Sequence, residues 1–159
     1  MADRLFWEDV NVGTELTPLP KIATTQMLVR FAGTSGDFNP LHYEDTFAKK
    51  SGVERSIVHG QLKRAWLMQL LIDWLGGNPA SLKKFSCRFR GVDVPRLMKT
   101  MTEPEDGETW MCRGKVTKKE VVDGQHLVHC DIWVENGKGE KTTTGSAVGV
   151  LPSRSQQPA

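Results

Sequence analysis

"QLKRAWLMQLLIDWLGG", residues 61–77, decides how the rest of the chain is read. The stretch has helical length, strong helix formers and a Gly76-Gly77 stop where a C-cap falls. Between Ala65 and Leu75 only Gln69 and Asp73 are polar, and Gln61 and Ala65 extend the same line backwards at the same interval. An ordinary surface helix shows water about half its circumference, so a helix apolar nearly all round has to be wrapped by something else.

The following sequence supplies the wrapper. Residues 82–92, 108–121, 126–135 and 141–151 alternate or nearly alternate between apolar and polar, and Pro, Gly and Asp clusters separate them, as antiparallel strands require. In "LVHCDIWV" (127–134), Val128, Cys130, Ile132 and Val134 share one face, while His129, Asp131 and Trp133 share the other. Asp123-Gly124 and Asn136-Gly137 are hairpin signals. The expected fold class is α+β, a curved antiparallel sheet wrapped around one long central helix. Upstream, residues 5–20 read as an irregular lead-in because of Gly13, Pro18 and Pro20. Thr24 and Thr25 are candidate N-caps for a short helix through Phe31, and a second short helix is expected from Glu44 to Lys50.

Composition narrows the range of functions. With 159 residues and 38% hydrophobic content, the chain can bury one substantial core, so one domain over residues 1–152 is expected, followed by a polar, disordered tail over 153–159. A formal charge of +2 gives no broad basic face for a phosphate backbone, which argues against a nucleic-acid partner. The N-terminus lacks the pattern of a signal peptide, and no run of about 18 apolar residues marks a membrane span. A cytoplasmic protein with no membrane partner is expected. Cys87, Cys112 and Cys130 are odd in number, far apart and without a CxxC pairing, and read as small core residues rather than a disulfide or zinc framework.

Two stretches can carry chemistry. "GDFNPLHYED" (36–45) places Asp37, Asn39 and His42 around a proline; read by itself, it is a capped turn between helices. "VERSIVHGQL" (53–62) places His59-Gly60 directly before the apolar helix, where backbone N–H groups are unpaired and the dipole favours negative charge. Gly60 permits a ligand to approach its amide closely, and that amide could stabilise the oxygen of a thioester enolate.

Together, "GDFNPLHYEDTFAKKSGVERSIVHG" and the helix after it resemble the MaoC-like (R)-specific enoyl-CoA hydratase and dehydratase family of the hot-dog fold. The resemblance covers the Asp-x-Asn-Pro-x-His element, the His-Gly element and the interval between them. It implies that Asp37 and His42 hold a water and add it across the double bond of a trans-2-enoyl thioester. It further implies that Asn39 orients the pair and that the Gly60 amide polarises the carbonyl, with no metal and no cofactor beyond the coenzyme A of the substrate. His59, Gln61, Lys63, Arg64, Arg88 and Arg90 are candidate contacts for the substrate or its CoA. A homodimer, or a heterodimer with another hot-dog subunit, is expected. The competing readings are one subunit of a hetero-oligomeric dehydratase and a non-catalytic acyl-thioester binding module.

Departures from the family pattern sharpen these expectations. Gln61 stands where relatives commonly have Met after His-Gly, and Met68 aligns with a small hydroxyl residue. Lys63 and Arg64 face the unfavourable end of the helix dipole. Either both snorkel to water, or one meets a negative group: a CoA phosphate, a second carboxylate on the substrate, or an acidic partner subunit. Arg88 and Arg90, on the outward face of an alternating strand, either bind CoA phosphates or only solvate that face.

Overall fold

The computed structural model describes residues 5–156. Five strands form one antiparallel sheet: β1 (Leu19–Lys21), β2 (Leu82–Phe89), β3 (Trp110–Val122), β4 (Gln125–Glu135) and β5 (Lys141–Val150), in the spatial order β1-β3-β4-β5-β2. The helices are α1 (Thr25–Ser35), α2 (Asp45–Lys50) and α3 (Gly60–Trp74). This is the hot-dog arrangement, with α3 as the enclosed helix.

Burial follows the sequence pattern. Leu62, Trp66, Leu67, Leu70 and Leu71 of α3 meet Trp110, Cys112 and Val116 of β3, Val128, Cys130, Ile132 and Val134 of β4, and Ala147 of β5. Gln61, Ala65, Gln69 and Asp73 face outward as expected. The uncovered side is wider than that one line, because Arg64 is exposed and Met68 and Ile72 are half-buried. Cys112 and Cys130 lie within the core, where burial pushes both thiols up to about 12, so they pack as small apolar groups.

Caps and turns explain the element ends. Thr24 accepts the Met27 amide at the start of α1, and Gly36 ends that helix in the left-handed conformation at φ 75°. Asp123 and Gly124 both take positive φ, as a tight hairpin between β3 and β4 requires. The β4–β5 hairpin is made differently from the Asn136-Gly137 expectation. Asn136 Oδ1 accepts the Lys138 and Glu140 amides at 3.0 and 2.9 Å, and the left-handed residue is Gly139.

The two ends of the chain differ from the sequence reading. Within the lead-in, β1 pairs with β3, Leu19 opposite Cys112 and Lys21 opposite Trp110. A proline in its middle hid this edge strand. At the other end, Ser153 is 1% exposed and its hydroxyl bonds Glu8, while Arg154 grips the Asp9 carboxylate at 2.7 and 2.8 Å. Residues 153–156 are therefore fastened to the lead-in, in contrast with the expected tail; residues 157–159 of that expectation lie outside the described residues. No helix among the described residues is long and apolar enough to cross a membrane.

Candidate active site

The Asp37–His42 stretch is a turn built by its own side chains. Asn39 Oδ1 accepts the Leu41 amide at 3.1 Å and caps a single 3-10 turn, Pro40–His42, which proline starts with its φ preset. Asn39 thus shapes the turn that carries Asp37 and His42, and its backbone amide also donates to Asp37 Oδ1 at 3.4 Å. The turn is tied to the segment before α3: the Ile57 amide donates to the Leu41 carbonyl at 3.2 Å, and His42 Nδ1 donates to the Ile57 carbonyl at 2.8 Å. A carbonyl can only accept, so Nδ1 carries the hydrogen and a neutral His42 presents a bare Nε2.

That Nε2 lies 3.8 Å from Asp37 Oδ2. The gap is too long for a direct hydrogen bond and short enough for one water to reach both atoms. His42 is almost wholly buried, whereas the Asp37 side chain is 39% exposed, so one partner is held and the other meets solvent.

His59 stands behind the pair and not in front of it. Its ring stacks on His42 at 3.7 Å between centroids and meets Phe31 edge-on at 5.0 Å. It is 0% exposed, and its Nε2 donates to the Asp37 carbonyl at 3.2 Å. Burial, with the neighbouring His42 as the second cause, holds its pKa below the ordinary 6.5, so His59 stays neutral. Its Nδ1 is buried with no partner. In contrast with the expectation that His59 touches substrate, its ring is fully buried against His42 and Phe31. Donor atoms of Asp37, His42 and His59 all lie within 4.8 Å of one another, the donor types of a three-point metal site. Of the three residues, only Asp37 has an appreciably solvent-exposed side chain.

Gly60 opens α3 next to His59, where the first amides have no intrahelical acceptor. A Cβ at Gly60 would lie 2.8 Å from the Phe89 ring, so the absence of a side chain lets β2 approach this amide. Gln61 is exposed in the next position and hydrogen-bonds Arg64 Nη1 at 3.3 Å.

The two helix cations separate. Lys63 does not snorkel: it is 2% exposed and reaches Asp93 Oδ2 at 2.5 Å and the Gly91 carbonyl at 2.9 Å. Asp93 in turn accepts the Trp110 indole at 2.8 Å, and its backbone carbonyl takes the Val58 amide. The substrate or CoA role expected of Lys63 is therefore corrected to an internal ion pair locking the start of α3 to the loop after β2. Arg64 remains exposed, without a carboxylate among the described residues. Arg88 and Arg90 line a groove of about 480 Å³ with Lys115, Asp131, Trp133 and Lys141. Since Phe89, whose ring abuts Gly60, separates them in sequence, the two arginines belong to the sheet face turned away from Gly60, apart from the Asp37–His42 pair.

Comparison with known proteins identifies the family. A family model described as "MaoC like domain" matches residues 10–126. A 3-hydroxybutyryl-CoA dehydratase of Methylorubrum extorquens is 30% identical over 132 residues, covering 78% of this chain and 83% of that protein. An (R)-specific enoyl-CoA hydratase of Aeromonas caviae is 47% identical over 48 residues, 30% of this chain and 36% of the relative. The solved (R)-hydratase from A. caviae superposes with a TM-score of 0.74 at 26% identity, covering 91% of this chain and 99% of that one. Fungal fatty acid synthase β subunits also match, 35% identical over 69 residues in Gibberella zeae; this chain spans 3% of that much longer protein.

Proposed function

This chain belongs to the family of MaoC-like domains, and from that premise we propose that it is a hydro-lyase adding water reversibly to a trans-2-enoyl thioester, most simply an enoyl-CoA. The observation that carries this reading is the bare Nε2 of His42 held 3.8 Å from the Asp37 carboxylate beside the first amide of the enclosed helix.

The thioester oxygen accepts from the Gly60 N–H, which, with the helix dipole, stabilises the charge that develops as a nucleophile adds at C3. A water bridging Asp37 and His42 gives its proton to Nε2 while its oxygen bonds C3. The double bond moves to an enolate, and the imidazolium returns a proton to C2, so one OH and one H are added in all. Asp37 orients the water and balances the imidazolium charge. Neutral His59, stacked behind, supports the ring without adding a competing positive charge. No metal or cofactor enters this route. The half-exposed side of α3 and the unpaired edge of β2 fit a second hot-dog subunit, identical or different.

Loss of enone absorbance on mixing the purified protein with crotonyl-CoA tests the proposal. Turnover that Asp37→Asn and His42→Ala each abolish is the expected result. A folded protein that turns over no enoyl-CoA, or variants that retain full rate, overturns it.

A further inference from the structure

Two adjacent cations open α3, and the structure gives them opposite fates. Lys63 is consumed by Asp93, while among the described residues Arg64 hydrogen-bonds the neutral Gln61 amide oxygen at 3.3 Å and meets no carboxylate. Arg64 follows Gly60 by one helical turn and lies on the same face of α3, about 6 Å further along the axis. That face runs beside half-buried Phe85 and exposed Phe89 of β2. Gly60 abuts Phe89, and the Arg64 guanidinium lies 5.8 Å from the centre of the Phe85 ring. Half-buried Cys87 lies between those two phenylalanines in sequence. One exposed guanidinium therefore stands beside an aromatic stretch of β2, one turn from the proposed oxyanion amide.

We propose that Arg64 selects the substrate: the acyl chain ends in a carboxylate, and the enzyme prefers short dicarboxylic enoyl thioesters. The inference rests on the hydratase reading for the position of the thioester at Gly60. Its chemistry is the pairing of a guanidinium with a planar anion, where Arg presents two parallel donors. Distance selects the source of that anion. A carboxylate two or three carbons beyond C2 falls within reach of a side chain rooted one helical turn from the thioester. The phosphates of CoA are held away from the thioester by the whole pantetheine arm. The aliphatic stem of Arg64 still covers the methylene groups of the chain it guides.

The test is equilibrium binding of glutaryl-CoA, butyryl-CoA and free CoA to the full chain, in the wild type and in Arg64→Gln and Arg64→Lys. Neither acyl ligand has a double bond, so the measurement is independent of turnover. The wild type is expected to bind glutaryl-CoA at least about tenfold more tightly than butyryl-CoA, equivalent to about 1.4 kcal/mol. Arg64→Gln erases that ratio and Arg64→Lys restores part of it. A wild-type ratio near one, or one that survives Arg64→Gln in a variant that melts normally, overturns the proposal. Equal weakening of all three ligands assigns Arg64 to a CoA phosphate instead and also overturns it, as does a change confined to subunit association by sedimentation. If the ratio holds while crotonyl-CoA and glutaconyl-CoA are not hydrated, the hydratase reading fails and the specificity inference stands.

Discussion

Two acid–base pairs flank the start of α3, and they are built for opposite ends. Lys63 and Asp93 touch at 2.5 Å with side chains 2% and 1% exposed, and Asp93 is further held by Trp110. His42 and Asp37 stand 3.8 Å apart with side chains 10% and 39% exposed. In the first pair the ammonium is spent on Asp93 and the Gly91 carbonyl, and both Asp93 oxygens are taken, so the pair holds structure. In the second, Nε2 and a carboxylate oxygen stand too far apart to bond each other and close enough for one water to reach both. A satisfied pair fixes the helix, and the unsatisfied one next to it is the pair to which the proposed function assigns proton transfer.

The sharpest way to break this contrast is to remove one partner of the sealed pair. Asp93→Ala strands a buried ammonium and is expected to lower the unfolding free energy by about 3–5 kcal/mol, read from urea denaturation. Replacing Lys63 by Met in the same protein should recover a large part, since the uncompensated charge is then gone. A loss below about 1 kcal/mol for Asp93→Ala would mean that the pair is not sealed. The open pair should behave in reverse. Asp37→Asn and His42→Ala are expected to lower kcat on crotonyl-CoA at least about a hundredfold, about 2.7 kcal/mol of barrier, with a much smaller change in Tm.

Smaller effects refine the comparison. Gly60→Ala drives a methyl against the Phe89 ring and displaces the amide, for an expected drop of about tenfold in kcat; adding Phe89→Leu should return part of it. The mildest effect is a pH slope. Burial holds folded His59 below its ordinary 6.5, whereas the unfolded chain takes up that proton near 6.5. Stability contributed by the neutral ring is therefore complete above that pH and declines as pH falls below it. Tm followed from pH 7.5 to 5.5 should decrease, and His59→Asn should flatten that slope. Asp45, whose two bonds from Ser56 hold its pKa below the usual 3.8, loses its contribution only at more acid pH, so the two windows separate.

Much of the fold was legible because it is written in local periodicity. The nearly all-apolar helix and the four long alternating segments state their own burial, and the glycine stop and Thr24 cap mark their ends. The Asp37–His42 turn was legible for the same reason, since Asn39 and Pro40 shape it from within. What stayed hidden depends on partners distant in sequence. Asp93 lies 30 residues beyond Lys63, and nothing near Lys63 announces that its charge is met indoors. His59 reads as a residue facing substrate because it precedes Gly60, yet its ring turns back onto His42 and Phe31. The edge strand β1 was obscured by Pro20, which a pattern search counts as a breaker although an outermost strand tolerates it. The outward placement of Arg88 and Arg90 followed from alternation alone, but which sheet face adjoins Gly60 required the contact with Phe89.

The outermost strands have a consequence for assembly. At one margin, β1 is three residues long and Pro20 offers no amide hydrogen; at the other, β2 runs eight residues without a proline. Only the second margin can be prolonged by another chain, and a two-fold axis there would use it up on both molecules at once. Pairing of that kind would close on two molecules and leave no long free edge to extend.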